Sequence, residues 1–300
     1  MLRALQDLEG CAISATDGAI GHVTDCYFDD ERWVLRFLVV ETGSWLASRK
    51  VLIAPYAIGR PDWYAKVLPV SITREQVRNS PDIDTEQPVS RQHEMQTLSH
   101  FGFPSYWLGP GTWGSAAFPG AMLTGVGYED SGAQYLAAQA AAQAVAQPAP
   151  VSAPVSAPVS NGAAGADPPE PDSHLRSGNA LLRYHIEASD GGLGPVKGLL
   201  FDEDSWAVRY LVVDTSNWWL GHQVLIAPSW IRELRWADAT ISVMVARQAV
   251  QDAPAYDPSV PLEREHETSL FAHHGRAAYW ADEVSQENPQ FRIARPTARR

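Results

Sequence analysis

Cysteine is almost missing from the chain: 300 residues contain only Cys11 and Cys26. That excludes a disulfide scaffold and a Cys-rich zinc module and points to a reducing compartment, with both thiols expected in apolar surroundings. No apolar run approaches the roughly 18 residues of a membrane-spanning helix. The opening Met1-Leu2-Arg3-Ala4-Leu5-Gln6-Asp7 has no apolar signal core, so a cytoplasmic location is expected, with peripheral attachment to an inner membrane left open. Basic residues are scarce relative to acids, 23 Lys and Arg against 35 Asp and Glu, a formal charge of −12. Such a balance lacks the basic footprint of a dedicated nucleic-acid binder. Only the tail beyond Glu287 is basic, through Arg292, Arg295, Arg299 and Arg300.

Catalytic signatures are missing too. There is no P-loop and no Gly-x-Ser-x-Gly elbow. His93-Glu94 and His266-Glu267 begin like the zinc motif His-Glu-x-x-His, but the second ligand position holds Thr97 and Leu270. His93 and His100, like His266 and His273, are seven residues apart, about 10.5 Å along a helix and too far for one ion. Gly109-x-Gly111-x-x-Gly114 has the dinucleotide spacing without the strand before it or the helix after it. Asp29-Asp30-Glu31 and Asp202-Glu203-Asp204 lack the alternating carboxylates of a calcium loop and read as solvated turns. No catalytic residue, cofactor site or metal ligand is therefore assigned, and the chain reads as a non-enzyme.

What is present is a repeat. Asp17-Gly18 falls on Asp190-Gly191, an offset of 173 residues. At the same offset Trp33 to Val40 falls on Trp206 to Val213, and Val51-Leu52-Ile53-Ala54-Pro55 on Val224-Leu225-Ile226-Ala227-Pro228. The register holds without a gap from Leu2/Leu175 to Trp107/Trp280, with 38 identities between 1–107 and 174–280. That number is far above chance for an ungapped match and fixes two copies of one unit. The segment between them, 108–173, is of another kind. It passes from Gly109-Pro110-Gly111-Thr112-Trp113-Gly114 through an Ala/Gln run, Ala133 to Gln147, with the length of a short helix, into iterated Pro-Val-Ser-Ala. An Ala/Pro/Ser-rich tract cannot bury a core and is expected to be a disordered, extended linker spanning roughly 45 Å. The expected domains are 1–107, linker 108–173, 174–280 and a basic tail 281–300.

Within a repeat, Asp17-Gly18 signals a tight hairpin with strands near 11–15 and 21–28. The acidic turn leads into the expected longest strand, Trp33 to Thr42, rich in β-branched and aromatic residues. Val51-Leu52-Ile53 is a short strand stopped by Pro55, and 66–72 another. Thr73-Arg74-Glu75-Gln76 has capping-box spacing for a short helix to Asn79. A second helix is predicted from about Val89 to His100, closed by Gly102. Several short strands in about 75 residues favour a barrel, which leaves no open edge.

These residues resemble the PRC-barrel family. The likeness is carried by Asp17-Gly18, Gly21-His22-Val23, Trp33, Arg36 to Val40, Val51 to Pro55, Trp63, and the trailer Ser80-Pro81, Pro88, Arg91, Glu94, Gly102 and Tyr106-Trp107. The family is named for the cytoplasmic domain of the photosynthetic reaction-centre H subunit and is also similar to the C-terminal domain of the ribosome maturation factor. The closest resemblance is to bacterial proteins with two such barrels in tandem. It implies a mainly β chain of two small barrels, each with a short helical trailer, and a binding and assembly role. A reaction-centre-like part in photosynthetic complex assembly or electron-transfer support, and binding of a ribosomal protein, are the alternatives. The sequence shows neither the membrane helix of the former nor the N-terminal domain of the latter.

Candidate protein-contacting residues follow from position. Arg36 and Arg209 stand inside otherwise apolar strands; each either pairs with a carboxylate, Glu41 or Asp214, or meets a partner. Trp33, Trp206, Trp63 and Trp236 are assigned to the cores. Trp45, Trp218 and Trp219 lie in loops after the long strands, where aromatics either pack locally or anchor an interface. The expected partner is a protein, without strong nucleic-acid binding and without a membrane span; the tether equally permits the repeats to pair with each other.

Nucleic acids are expected to bind weakly at physiological salt, with residual binding lost on removing residues 288–300. Fluorescence anisotropy that gives submicromolar affinity for the truncated chain contradicts this.

Overall fold

The computed structural model describes residues 1–83, 89–123, 174–215 and 222–281. The Ala/Pro/Ser-rich tract from 124 to 173, including the Ala/Gln run, lies outside the described residues. So do Trp218, Trp219 and the basic tail from 282.

The chain is mainly β, and it divides into two compact units that do not follow the repeat boundaries. Unit 1 takes Met1, Arg3–Leu182 and Gly198–Arg209; unit 2 takes Leu2, Arg183–Lys197 and Tyr210–Arg300. Residues 174–182 and the 198–209 turn of the second repeat therefore belong to the same unit as the first repeat.

Unit 1 is built on β1 (Leu2–Ala4), β2 (Ala12–Ala15), β3 (Gly18–Asp29), β4 (Val34–Thr42), β5 (Lys50–Ile53), β6 (Val67–Pro69) and β7 (Leu175–Ser177). The sheet order is β5-β4-β3-β2-β6, with β7 paired to β3. The Asp17-Gly18 hairpin forms as predicted, Gly18 taking φ +138°. Asp17 has a further role: its Oδ1 accepts from the Arg74 backbone N–H at 2.8 Å and so tethers α1 (Arg74–Arg78). That helix opens on the expected Thr73–Gln76 capping box. Glycine at 21 is dictated by the β3–β4 pairing, because a Cβ there would lie 1.9 Å from the Glu41 carbonyl. The longest strand is β3, with 12 residues against 9 in β4, so the expectation that 33–42 would be longest fails. Tertiary pairing of β3 with β2, β4 and β7 extends it beyond its local propensity.

Unit 2 repeats the plan with β8 (His185–Ala188), β9 (Gly191–Asp202), β10 (Val208–Asp214), β11 (Gln223–Ile226), β12 (Ile231–Arg235) and β13 (Thr240–Val243). Their order is β11-β10-β9-β8-β13-β12. The ends of β9 and β10 at 198–209 are counted in unit 1, and β1 pairs with β9.

The expected closed barrels are not found. Among the described residues no pairing joins the two ends of either sheet. In unit 1 the physical reason is length: β5 stops before Pro55 and β6 has only three residues, ending in Pro69. The outer side of β6 is met not by β5 but by residues 58–62, through the isolated pairs Ile58–Val70 and Asp62–Val67 and the Gly59 N–H donating to the Pro69 carbonyl at 2.8 Å.

The helical trailers are α2 (Arg91–His100) in unit 1, which also holds the short α4 (Gly178–Leu181), and α5 (Arg247–Gln251) and α6 (Arg264–His273) in unit 2. In unit 1 packed chain also continues past the end of the first repeat. Residues 108–123 pack into unit 1 and close with α3 (Pro119–Leu123), so the linker does not begin at 108. Trp113 is fully buried there. Its ring meets Tyr56 edge-on at 4.9 Å, and its Nε1 donates to the Ser205 carbonyl at 2.7 Å. The Gly109-x-Gly111-x-x-Gly114 spacing serves this fold. A Cβ at 109 would lie 2.6 Å from the Gly114 backbone, and one at 111 would lie 2.6 Å from the Ala116 carbonyl.

Trp113→Ala is expected to cost about 3–5 kcal/mol, as for other buried large aromatics. Urea unfolding that shows less than about 1 kcal/mol would place residues 108–114 outside the cooperative core.

Candidate functional site

Arg36 sits in the middle of β4, where the alternation of the strand sends its side chain inward. It is 1% exposed. A buried guanidinium needs compensation on all sides, and the fold supplies it. Nε and Nη2 donate to Asp29 Oδ2 at 3.3 and 3.0 Å, and Nη1 donates to the Thr112 carbonyl at 2.7 Å. The guanidinium also lies over the rings of Tyr106, at 3.8 Å, and Trp113, at 4.8 Å. Burial pulls the Arg36 pKa down, and the charge of Asp29 opposes the shift. The expected partner Glu41 is not used, and Arg36 is too deeply enclosed to contact a protein partner. Asp29 is no solvated turn residue either. It is 3% exposed, and its Oδ1 accepts from the N–H groups of Glu31 and Arg32 at 2.9 and 3.1 Å.

Arg209, the equivalent position in the second repeat, is half-buried. Its Nη2 donates to Ser205 Oγ at 3.3 Å, and its charge, with the hydrogen bonds from Ser205, helps hold the Asp202 carboxyl below the usual range against the effect of burial.

The trailer is clamped by a carboxylate. Glu94 is fully buried on α2; its Oε2 accepts from the Tyr106 hydroxyl and from Arg91 Nη1 at 3.2 Å. Burial pushes the Glu94 carboxyl up to about 7, with Tyr106 and Arg91 only partly offsetting it. The second repeat rebuilds the clamp on α6. Glu267 Oε1 accepts from Tyr210 at 2.9 Å and from Tyr279 at 2.8 Å, and Arg264 lies 3.0 Å from Oε2. Tyr106 and Tyr279 thus fasten the trailers. His100 and His273 hold backbone carbonyls, of Gln76 and Ala249, each at 2.8 Å. Among the described residues no three His, Cys, Asp or Glu side chains gather as a metal site.

Trp45 is half-buried. Its Nε1 donates to the Ile20 carbonyl at 2.5 Å, and its ring lies under Arg74 at 4.3 Å, so local packing holds it. Trp33 and Trp206 are core residues as expected, 9% and 4% exposed. Trp63 and Trp236 are only half-buried. Their assignment to the core fails because each lies in a surface turn, 63–66 before β6 and 236–239 before β13.

Trp63 belongs instead to a groove of about 850 Å³ in unit 1. Its walls include Pro55, Pro61, Trp63, Phe118 and Trp206. Trp63 is fixed there: its Nε1 donates to Glu203 Oε2 at 2.9 Å, and the guanidinium of Arg3 lies over its ring at 4.9 Å. Phe118 is 50% exposed at the groove, and the neighbour of Trp63, Tyr64, is fully exposed. Sequence reasoning missed Phe118 because it stood in the segment assigned to the linker; the Gly/aromatic character of 109–114 was the signal that ordered chain continues there. In unit 2 a smaller cavity of about 520 Å³ is lined by Tyr256, Val260, Leu262 and His266, among others.

Comparison of the chain with protein-family models and with curated proteins finds no match in either.

The raised pKa of Glu94 has a definite sign. A carboxyl at about 7 in the fold, against an unfolded value near 4.5, stabilises fully below pH 4.5 and loses that contribution as pH rises through 7. Thermal midpoints of wild type minus those of Glu94→Gln, measured from pH 4 to 8, are expected to fall across this window. A flat difference would mean that the carboxyl ionises in the fold as it does in the unfolded chain.

Proposed function

We propose that the chain is a non-enzymatic protein-binding and assembly module built from two PRC-type repeats. The observation that carries this reading is the unit 1 groove, where aromatic and proline side chains line about 850 Å³ and Phe118 stays half exposed. The recess is of mixed character, its aromatic and proline walls standing beside Arg3, Arg60, Glu203 and Asp204; a recess with fixed walls and an exposed aromatic at its rim can receive a partner's anchoring side chain. Arg36 and Glu94, the charged residues at the heart of the family likeness, are spent on holding the fold. What remains for recognition is surface shape and exposed aromatic area. The partner is a protein, and the contact needs neither a cofactor nor a metal.

Affinity purification of the tagged full chain from native cells, beside Phe118→Ala/Tyr64→Ala, tests the reading. A stoichiometric protein partner is expected with wild type and should fall roughly tenfold with the double variant, whose thermal midpoint should not move. A partner retained equally by both chains would take the groove out of the account. Substrate turnover by the purified chain would overturn the non-enzymatic reading.

A further inference from the structure

Unit 1 contains a set of contacts that come in pairs related by the 173-residue offset. Leu35 N–H donates to the Trp206 carbonyl at 2.8 Å, and Val208 N–H to the Trp33 carbonyl at 2.7 Å. Between them Val34 bridges Ala207, its own equivalent. Asp30 N–H donates to the His174 carbonyl at 3.1 Å, and Glu203 N–H to the Met1 carbonyl at 3.0 Å. Arg3 Nε reaches Glu203 at 3.2 Å, and Arg176 Nε reaches Asp30 at 2.9 Å. Contacts of this reciprocal kind are those of a two-fold interface. Their chemistry is the same on both sides, so alone they would pair two first repeats as readily as a first with a second.

A neighbouring group of residues is not the same on both sides. Leu5 corresponds to Gly178, Ala4 to Ser177, Gln6 to Asn179, Asp25 to Gly198 and Cys26 to Leu199. At Gly178 even a Cβ would lie 2.7 Å from Cys26 Sγ and 2.7 Å from Leu5 Cδ2. A leucine in that place, as a second copy of the first repeat would bring, would have to displace both side chains. Asp25 is held by a hydroxyl that only the second repeat offers, Ser177 where the first has Ala4, and by a backbone amide that either repeat could supply. Ser177 Oγ donates to its Oδ2 at 2.6 Å, and the Asn179 N–H to its Oδ1 at 3.1 Å. On the opposite side Gly198 leaves space for the Gln6 amide, which would stand 3.1 Å from a Cβ there. An aspartate in that place would push the Gln6 amide from its present position. Two second repeats would instead set glycine against glycine and leave the gap unfilled.

We infer that this surface is selective: it takes one first repeat and the 174–182 and 198–209 segments of one second repeat, and it rejects two of a kind. The selecting residues are Leu5, Gly178, Asp25 and Ser177, a large-against-small and acid-against-hydroxyl match. The occupant is the second repeat of the same chain. The 50 residues 124–173 join the two within one molecule, and even a long tether holds its ends at an effective concentration well above micromolar.

The test uses the full chain with a specific protease site inserted between 124 and 173 and cut after folding. Native mass spectrometry is expected to show an intact monomer and, after cutting, a 1:1 complex of unlike fragments. Gly178→Leu should weaken that complex roughly tenfold to a hundredfold, and Leu5→Ala added to it should recover most of the loss. Should Gly178→Leu not fold, Asp25→Ala and Ser177→Ala, singly and together, carry the same test: the double variant should lose no more than the worse single one. Fragments that part on cutting, like-with-like dimers, a dimeric uncut chain at micromolar concentration, or additive losses in both variant pairs would each overturn the inference.

Discussion

The buried charge of Arg36 is the constraint around which unit 1 is organised. A guanidinium inside a strand of Val, Leu and Phe would be intolerable without partners, since removing either member of a buried pair leaves an uncompensated charge. Asp29 supplies the countercharge, but one carboxylate does not satisfy five donors. The rest comes from the Thr112 carbonyl and from two aromatic faces, Tyr106 and Trp113. The trailer and the segment after it are therefore parts of the core. Tyr106 lies on Arg36 and at the same time donates to Glu94, which ties α2 to the sheet through a single chain of polar contacts.

The second repeat meets the same requirement differently. Arg209 is less enclosed and turns to Ser205, where the first repeat has Arg32. In place of Phe37 stands Tyr210, whose hydroxyl reaches Glu267. Two copies of one plan thus distribute their buried polar groups over different partners. Divergence of this kind lets each copy keep its fold while its surface changes.

Much of the local structure was legible because it rests on short-range rules. Asp17-Gly18 demands a positive φ, Thr73 to Gln76 forms a capping box, and Pro55 stops a strand; each acts within a few residues, and each appears where the pattern puts it. The partners were not legible. Glu41 and Asp29 are both acids within reach of Arg36 along the chain, and only the register of β3 against β4 chooses Asp29. That packed chain continues past the end of the first repeat at 107 was hidden for a related reason. Residues 108–123 have the composition of a loop, and nothing local tells that Trp113 is swallowed by the core.

By itself the sequence determined that there are two copies of one β-rich unit, their register, their turns and helix caps, and the net excess of acid. These follow from periodicity, backbone sterics and net charge, none of which needs a third dimension. The tertiary structure alone decided that the sheets stay open, that Arg36 is enclosed, and that residues 174–182 and 198–209 share a compact unit with the first repeat. Those outcomes depend on contacts between residues as much as two hundred positions apart, such as Arg3 with Glu203. The energy of such contacts comes from desolvation and close packing, which a linear pattern does not record.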